Sequence, residues 1–171
     1  MPRIGIISDT HGNFDLMRSA AYALRDAHDT TRIIHLGDYY RDGIALRSDG
    51  FTLWLVPGTA CPAYGTSERI LREAIGGVQV VAAHTPDDLA AAANGAGLAL
   101  HGHTHAPYVE QRGHTVWLNP GHLKAPLDRG HRPSYAVVDL ESGLIQATIH
   151  GVDGSVVATG AFRLPQETAH A

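Results

Sequence analysis

The sequence predicts an α/β protein: a parallel, mostly buried sheet with helices outside it, followed by antiparallel hairpins that close a second sheet. Three observations carry that expectation. Short apolar, β-branched runs alternate with amphipathic segments through the first hundred residues, the pattern of βα units. From Pro107 onward the character changes to strand-like segments joined by short Gly-containing turns. Hydrophobic residues make up 44% of the 171 and charged residues 18%, which supports a packed core rather than disorder.

Taken in order, "RIGIIS" (3–8) is a short β-branched strand. Residues 14–27 place Leu16, Met17, Ala20, Ala21, Leu24 and Ala27 at helical spacing, with Asn13 as N-cap. Strands follow at "RIIHL" (32–36) and "FTLWLV" (51–56). "SERILREAI" (67–75) reads as a helix ended by Gly76-Gly77. "VQVVAAH" (78–84) is a strand, "PDDLAAAANG" (86–95) a short helix and "LAL" (98–100) a strand. The later strands are "PYVEQRG", "HTVWLN", "SYAVVDL", "LIQATIH" and "SVVATGAF". Residues 1–165 are expected to form one domain and 166–171 a frayed tail.

Lys and Arg number 13 against 17 Asp and Glu, a net charge of −4. That balance offers no general attraction for nucleic acid or an anionic membrane. Phosphate chemistry here would need local positive charge, such as a bound cation. The single cysteine, Cys61, excludes an intramolecular disulfide and a Cys-rich zinc site. The N-terminal segment has no apolar signal region, and no run of about 18 apolar residues could span a bilayer. A cytoplasmic protein is the expectation.

One regularity organises the polar residues. Five apolar strands each end in a turn bearing a polar, often metal-competent side chain. These are Asp9 and His11; Asp38; Pro57-Gly58-Thr59; His84; and the run "ALHGHTHAP" with His101, His103 and His105. In a parallel sheet the strand carboxyl ends share one edge, where α/β folds bind ligands. Singly, each residue has an ordinary reading. Asp9 and Asp38 suit turns, His84 suits a hydrogen-bonded core position, and His35 and His101 read as strand support. Jointly, two Asp and four His at one edge fit the ligand preferences of Mn, Fe, Zn or Ni. His28, His114, His122, His131, His150 and His170 show no ligand pattern and read as surface residues.

These motifs resemble the calcineurin-like metallophosphoesterases. "SDTHGN" (8–13) is similar to the family's D-x-H motif, "HLGD" (35–38) to its G-D motif and "GHTH" (102–105) to its G-H-x-H motif. "LNPG" (118–121) resembles the segment that follows in the small YfcE-like phosphodiesterase branch. The resemblance implies a four-layer sandwich of two mixed sheets flanked by helices. It implies a two-metal centre: Asp9, His11 and His105 on one ion, His84 and His103 on the other, and Asp38 bridging. Two divalent ions are implied, manganese foremost, with iron, zinc or nickel also suited. The implied activity is that of a phosphodiesterase whose metal-bridging hydroxide attacks phosphorus. Asn13, His35 and Asn119 would support the ligands or face the substrate, a small phosphoester; Tyr39, Tyr40, Arg41 and Tyr64 are nominated for the pocket by proximity in sequence alone.

The sequence departs from the family pattern at four points. Thr59 stands where an Asn would ligate the second ion, and a hydroxyl is a poorer ligand than an amide oxygen. The second site is therefore expected to be weaker, with Cys61, a buried thiol by default, nearby. Thr85 replaces a Gly after His84, and His122 replaces a Ser after "NPG". No histidine follows Thr59, so the family's general acid is missing, which favours diesters or activated leaving groups. Two alternatives stand beside this reading. One is a scaffold on the same fold, as in the retromer subunit. The other is a mononuclear hydrolase using Asp9, His11, Asp38 and His105.

Overall fold

The computed structural model describes residues 1–165; the expected frayed tail and His170 lie outside the described residues. Eleven strands and three α-helices are present among them. In chain order they are β1 (Arg3–Ile7), α1 (Phe14–Asp26), β2 (Arg32–His35), α2 (Ile44–Ser48), β3 (Thr52–Leu55), β4 (Ile70–Ile75) and β5 (Val78–Ala83). There follow α3 (Pro86–Ala92), β6 (Leu98–Leu100), β7 (Tyr108–Arg112), β8 (Thr115–Asn119), β9 (Ser134–Glu141), β10 (Leu144–Gly151) and β11 (Val156–Arg163).

Two mixed sheets pack face to face. One has the order β11-β10-β9-β1-β2-β3 and the other β4-β5-β6-β8-β7. The period-2 alternation of strand side chains builds the layers. Ile4 and Ile6 of β1, Val80 and Ala82 of β5, Leu98 and Leu100 of β6, and Val138 and Leu140 of β9 share the core between the sheets. Ile7, Ile33 and Val137 face the other way and bury Met17, Ala20, Ala21 and Leu24 of α1. Val81, Ala83 and Ala99 do the same for Leu89 and Ala92 of α3. A helix thus covers each outer face, the expected αββα layering. No helix among the described residues is long and apolar enough to cross a membrane.

Asn13 caps α1 as the sequence predicts, its side chain accepting from the Leu16 amide at 3.1 Å. Two expectations are corrected. Residues 70–75 form a strand rather than part of a helix, pairing antiparallel with β5 from Ile70↔Ala83 to Ile75↔Val78. A spacing of four, as between Leu71 and Ile75, places residues on one face of either element, so periodicity could not separate them. The deciding feature is Gly76-Gly77, with φ of 60° and 78°. Two successive positive φ angles make the tight hairpin turn, not a helix end.

The hairpins also do not form a sheet of their own. β9, β10 and β11 extend the first sheet through antiparallel pairing of β9 with β1. β7 and β8 join the second, where β8 runs parallel to β6. The strand ends that meet therefore come from both sheets. β1 pairs parallel with β2, and β5 parallel with β6, so each pair delivers its carboxyl ends together.

Thr85, one of the departures from the family pattern, serves α3. Its hydroxyl accepts from the Asp88 amide at 3.2 Å and donates to the Asp88 carboxylate at 2.9 Å. Thr85→Ala is expected to cost about 1 kcal/mol of stability through loss of this cap. Thermal unfolding reads the loss, and metal uptake should stay at the wild-type level.

Candidate metal centre

The four strand ends converge. After β1 come Asp9 and His11; after β2, Asp38; after β5, His84; and after β6, His103 and His105. The amide of Asp9 donates to the Gly37 carbonyl, which ties the first two turns together. Asp9, His84 and His105 are fully buried, while His11 and His103 are half-buried. Asp9, His11, His103 and His105 all have positive φ, between 46° and 64°. A non-glycine residue costs about 1–2 kcal/mol there. Backbone strain gathered on one constellation is a mark of function rather than of stability.

The side chains form two groups: Asp9, His11 and His105, and beside them Asp38, His84 and His103. Within each, the ligand atoms lie within 4.8 Å of one another. Around Asp9 Oδ1 stand His105 Nε2 at 3.1 Å, His11 Nε2 at 3.8 Å and His84 Nε2 at 3.9 Å. Asp38 Oδ2 is 3.8 Å from His11 Nε2, and its Oδ1 is 3.4 Å from His84 Nε2. His103 Nδ1 is 3.2 Å from His84 Nε2. Asp38 therefore reaches both groups, one oxygen to each.

Neighbouring groups aim these atoms inward. Asp9 Oδ2 accepts from the Ser8 hydroxyl at 2.5 Å and the His103 amide at 3.0 Å, leaving Oδ1 to the histidines. Asp38 Oδ1 accepts from the Ala60 amide at 3.1 Å. His84 Nδ1 donates to the Leu36 carbonyl at 2.7 Å, which leaves the Nε2 lone pair facing the carboxylates.

Charge follows the same logic. Burial would push Asp9 up, but His105, His11, His84 and Ser8 together hold its carboxyl far below the usual range. Burial likewise opposes the proton on His84 and His105, yet Asp38 and Asp9 raise the first, and Asp9 and Asp128 the second. His103 goes down through burial and the nearby His84.

The residues fit divalent transition ions. His11 Nε2 is buried with no hydrogen-bond partner and faces both carboxylates, a costly arrangement unless a further group binds there. A neutral nitrogen and carboxylate donor set with strained, preset ligands is what such an ion selects.

Among the supporting residues named from sequence, His35 is fully buried and held down to about 4 by its burial. It accepts from the Gly37 amide and bonds Thr10, so it braces the turns without joining the ligands. His101 spends both ring nitrogens on the Gly102 carbonyl and the Tyr108 hydroxyl. Asn119 donates to the Gly102 carbonyl and to Thr104, fixing the turn that carries His103 and His105. Asn13 donates to the Lys124 carbonyl. Thr59 is exposed on the loop whose Ala60 amide holds Asp38, and Cys61 is buried in the same loop. Tyr39 sits beside the site, its ring 5.5 Å from that of His11. Tyr64 turns instead to Asp88.

Of the six histidines read as surface residues, only His114 is exposed among those described. His122 is buried against the His105 ring and donates to the His131 carbonyl. His28 and His150 are half-buried and cluster with Tyr135, which stacks on His150 and meets His28 edge-on. Three carboxylate or cationic supports had no sequence signal. Asp42 accepts from Gly12 and Thr10. Asp128 and Lys124 form a chain to His105. Asp42 lies 32 residues from Thr10 and Asp128 lies 23 from His105, and no spacing rule connects either carboxylate to the site.

The family model described as the calcineurin-like phosphoesterase superfamily domain matches residues 2–143. A search of curated protein sequences finds no match. Among solved structures, the phosphoesterase Yfce from E. coli is 19% identical, with 95% of this chain and 100% of that one covered at a TM-score of 0.73. An archaeal phosphodiesterase is 18% identical over 86% of this chain and 99% of its own, with a TM-score of 0.68. Vps29 from Chaetomium thermophilum is 17% identical over all of both chains, with a TM-score of 0.77. At these identities the structures establish a shared fold.

Proposed function

The chain belongs to the calcineurin-like phosphoesterase superfamily, and on that premise we propose that it is a metal-dependent phosphodiesterase acting on small phosphoesters. The observation that carries the proposal is the pair of adjoining Asp/His groups with Asp38 spanning them. Bound divalent ions, manganese foremost, would activate water and neutralise phosphoryl charge. That would supply locally the positive charge that a chain of net charge −4 lacks.

The protein's own residues account for the rest. Asp9, His11 and His105 would hold one ion and His84 and His103 the other, with Asp38 between them. Ser8, the His103 amide and the Ala60 amide hold the two carboxylates in place. No imidazole stands on the exposed Thr59–Ala60 loop to protonate a departing alkoxide. Activated esters and diesters with better leaving groups depend least on such an acid, which is the basis for choosing them. Thr59 in place of an amide ligand leaves the Asp38 group the poorer of the two.

Metal analysis of the purified protein, with an assay on bis-p-nitrophenyl phosphate and added Mn²⁺, tests the proposal. Two ions per chain with turnover are expected. One ion with turnover supports a mononuclear hydrolase. No turnover at saturating Mn²⁺ overturns the catalytic reading and leaves a binding role, which a fold shared with Vps29 can accommodate. Mn²⁺ affinity is also expected to rise with pH. His84 and His105 retain protons above the usual histidine range, and an ion must displace those protons to bind. Isothermal titrations from acidic to mildly alkaline pH will show this, and a flat profile would contradict it.

A further inference from the structure

We propose that Asp128 is a positioning residue that makes the Asp9 group the tighter of the two metal sites. The proposal rests on the metal-binding reading above and assigns it an internal order. His105 Nδ1 donates to Asp128 Oδ2 at 2.5 Å, while its Nε2 points at Asp9. A carboxylate on the outer nitrogen fixes the tautomer, fixes the ring plane and makes the inner nitrogen more basic. The other oxygen of Asp128 accepts from Lys124 Nζ at 2.9 Å. The carboxylate is thereby anchored from outside the site.

The turn that carries Asp128 is itself held. Its amide and carbonyl exchange hydrogen bonds with His131 at 2.9 and 2.8 Å. Arg129 and Gly130 between them have φ of 49° and 83°, the geometry of a tight two-residue turn. Arg129 extends back to donate to the His103 carbonyl at 2.8 Å. One turn therefore grips the side chain of His105 and the backbone of His103. His122, which departs from the family pattern, packs on the His105 ring and bonds the same turn through the His131 carbonyl.

Among the described residues, the Asp38 group has no carboxylate that plays this part for its imidazoles. The outer nitrogen of His84 meets a neutral carbonyl, that of Leu36. Among the described residues, no carboxylate pairs with the ring of His103. Carboxylate support on one side only predicts two unequal affinities.

Calorimetric titration of the full chain with Mn²⁺ tests this in wild type, Asp128→Asn and Asp128→Ala. Asp128→Ala is expected to weaken the tighter binding event about 10–100-fold and leave the weaker one unchanged. Asp128→Asn should lose less, because its amide oxygen still accepts from Nδ1 without the charge. Equal weakening of both events, or no change in either, overturns the proposal. A second readout needs no metal. Long-range ¹H–¹⁵N spectra at mildly alkaline pH should show His105 protonated at Nδ1 in wild type and as a tautomer mixture in Asp128→Ala. An unchanged tautomer would also overturn the proposal. Asp128→Asn carries the test if the alanine variant does not fold. Wild-type protein that binds no ion would fail the functional reading instead, and the tautomer measurement would still judge Asp128.

Discussion

Asp38→Asn is expected to lower kcat/KM on bis-p-nitrophenyl phosphate on the order of a thousandfold and to reduce bound metal below two ions per chain. The substitution keeps the shape of the side chain and removes its charge. Asp38 turns a separate oxygen toward each group, Oδ2 toward His11 at 3.8 Å and Oδ1 toward His84 at 3.4 Å. An amide presents one neutral oxygen and turns an N–H toward a ring nitrogen that also needs to bind an ion. His84 holds Asp38 below its ordinary range against the effect of burial, so the native residue is anionic at neutral pH. The fold should be retained, because the Ala60 amide can still bond the side-chain oxygen. Steady-state kinetics and metal analysis on the same preparation decide the matter. Turnover within tenfold of wild type, with two ions bound, would show that Asp38 does not bridge.

The largest effect on stability is expected at Gly37, which joins the strand bearing His35 to Asp38. Its φ is +90°, and a Cβ there would lie 2.5 Å from the Gly58 nitrogen, 2.6 Å from its Cα and 2.9 Å from His84 Nδ1. The first two are backbone atoms of a neighbouring turn that is itself packed on Asp38. Neither side can yield by rotating a side chain. Gly37→Ala should therefore destabilise the protein by about 3 kcal/mol or more. For a chain of 171 residues that corresponds to a fall in melting temperature of about 6–12 °C. Metal uptake should fall with it, since Asp38 and His84 are the residues displaced. A melting temperature within a degree of wild type would refute the close approach of the two turns.

Most of the candidate centre was legible because strand periodicity and turn chemistry are local. "SDTHGN", "HLGD" and "GHTH" each follow a short apolar strand, and apolar strands that end in polar turns define a sheet edge before any pairing is known. The same local reasoning identified His35 and His101 as support and Asn13 as a cap. It failed where a spacing of four residues suits both a helix and a strand, as in 70–75, where the Gly76-Gly77 turn decided the outcome. It failed again at His122, which reads as a surface residue and is buried, packed on the His105 ring and bonded to the His131 carbonyl. Asp42 and Asp128 were beyond its reach, since Asp42 lies 32 residues from Thr10 and Asp128 lies 23 from His105.

By itself the sequence determined the composition of the site: two carboxylates and four imidazoles shared among the ends of four strands, with glycines where the turns are tight. These are properties of the chain over a few residues, where backbone sterics and side-chain period act directly. The tertiary structure decided which strands share a sheet, and so that the ligands meet across two sheets rather than along one. It also decided which nitrogen of each imidazole faces inward, because that depends on the partner of the other nitrogen: Leu36 for His84, Asp128 for His105. A hydrogen bond between residues 48 or 23 positions apart is set by packing in space, and it is this packing that gathers six metal-competent residues into two adjoining groups.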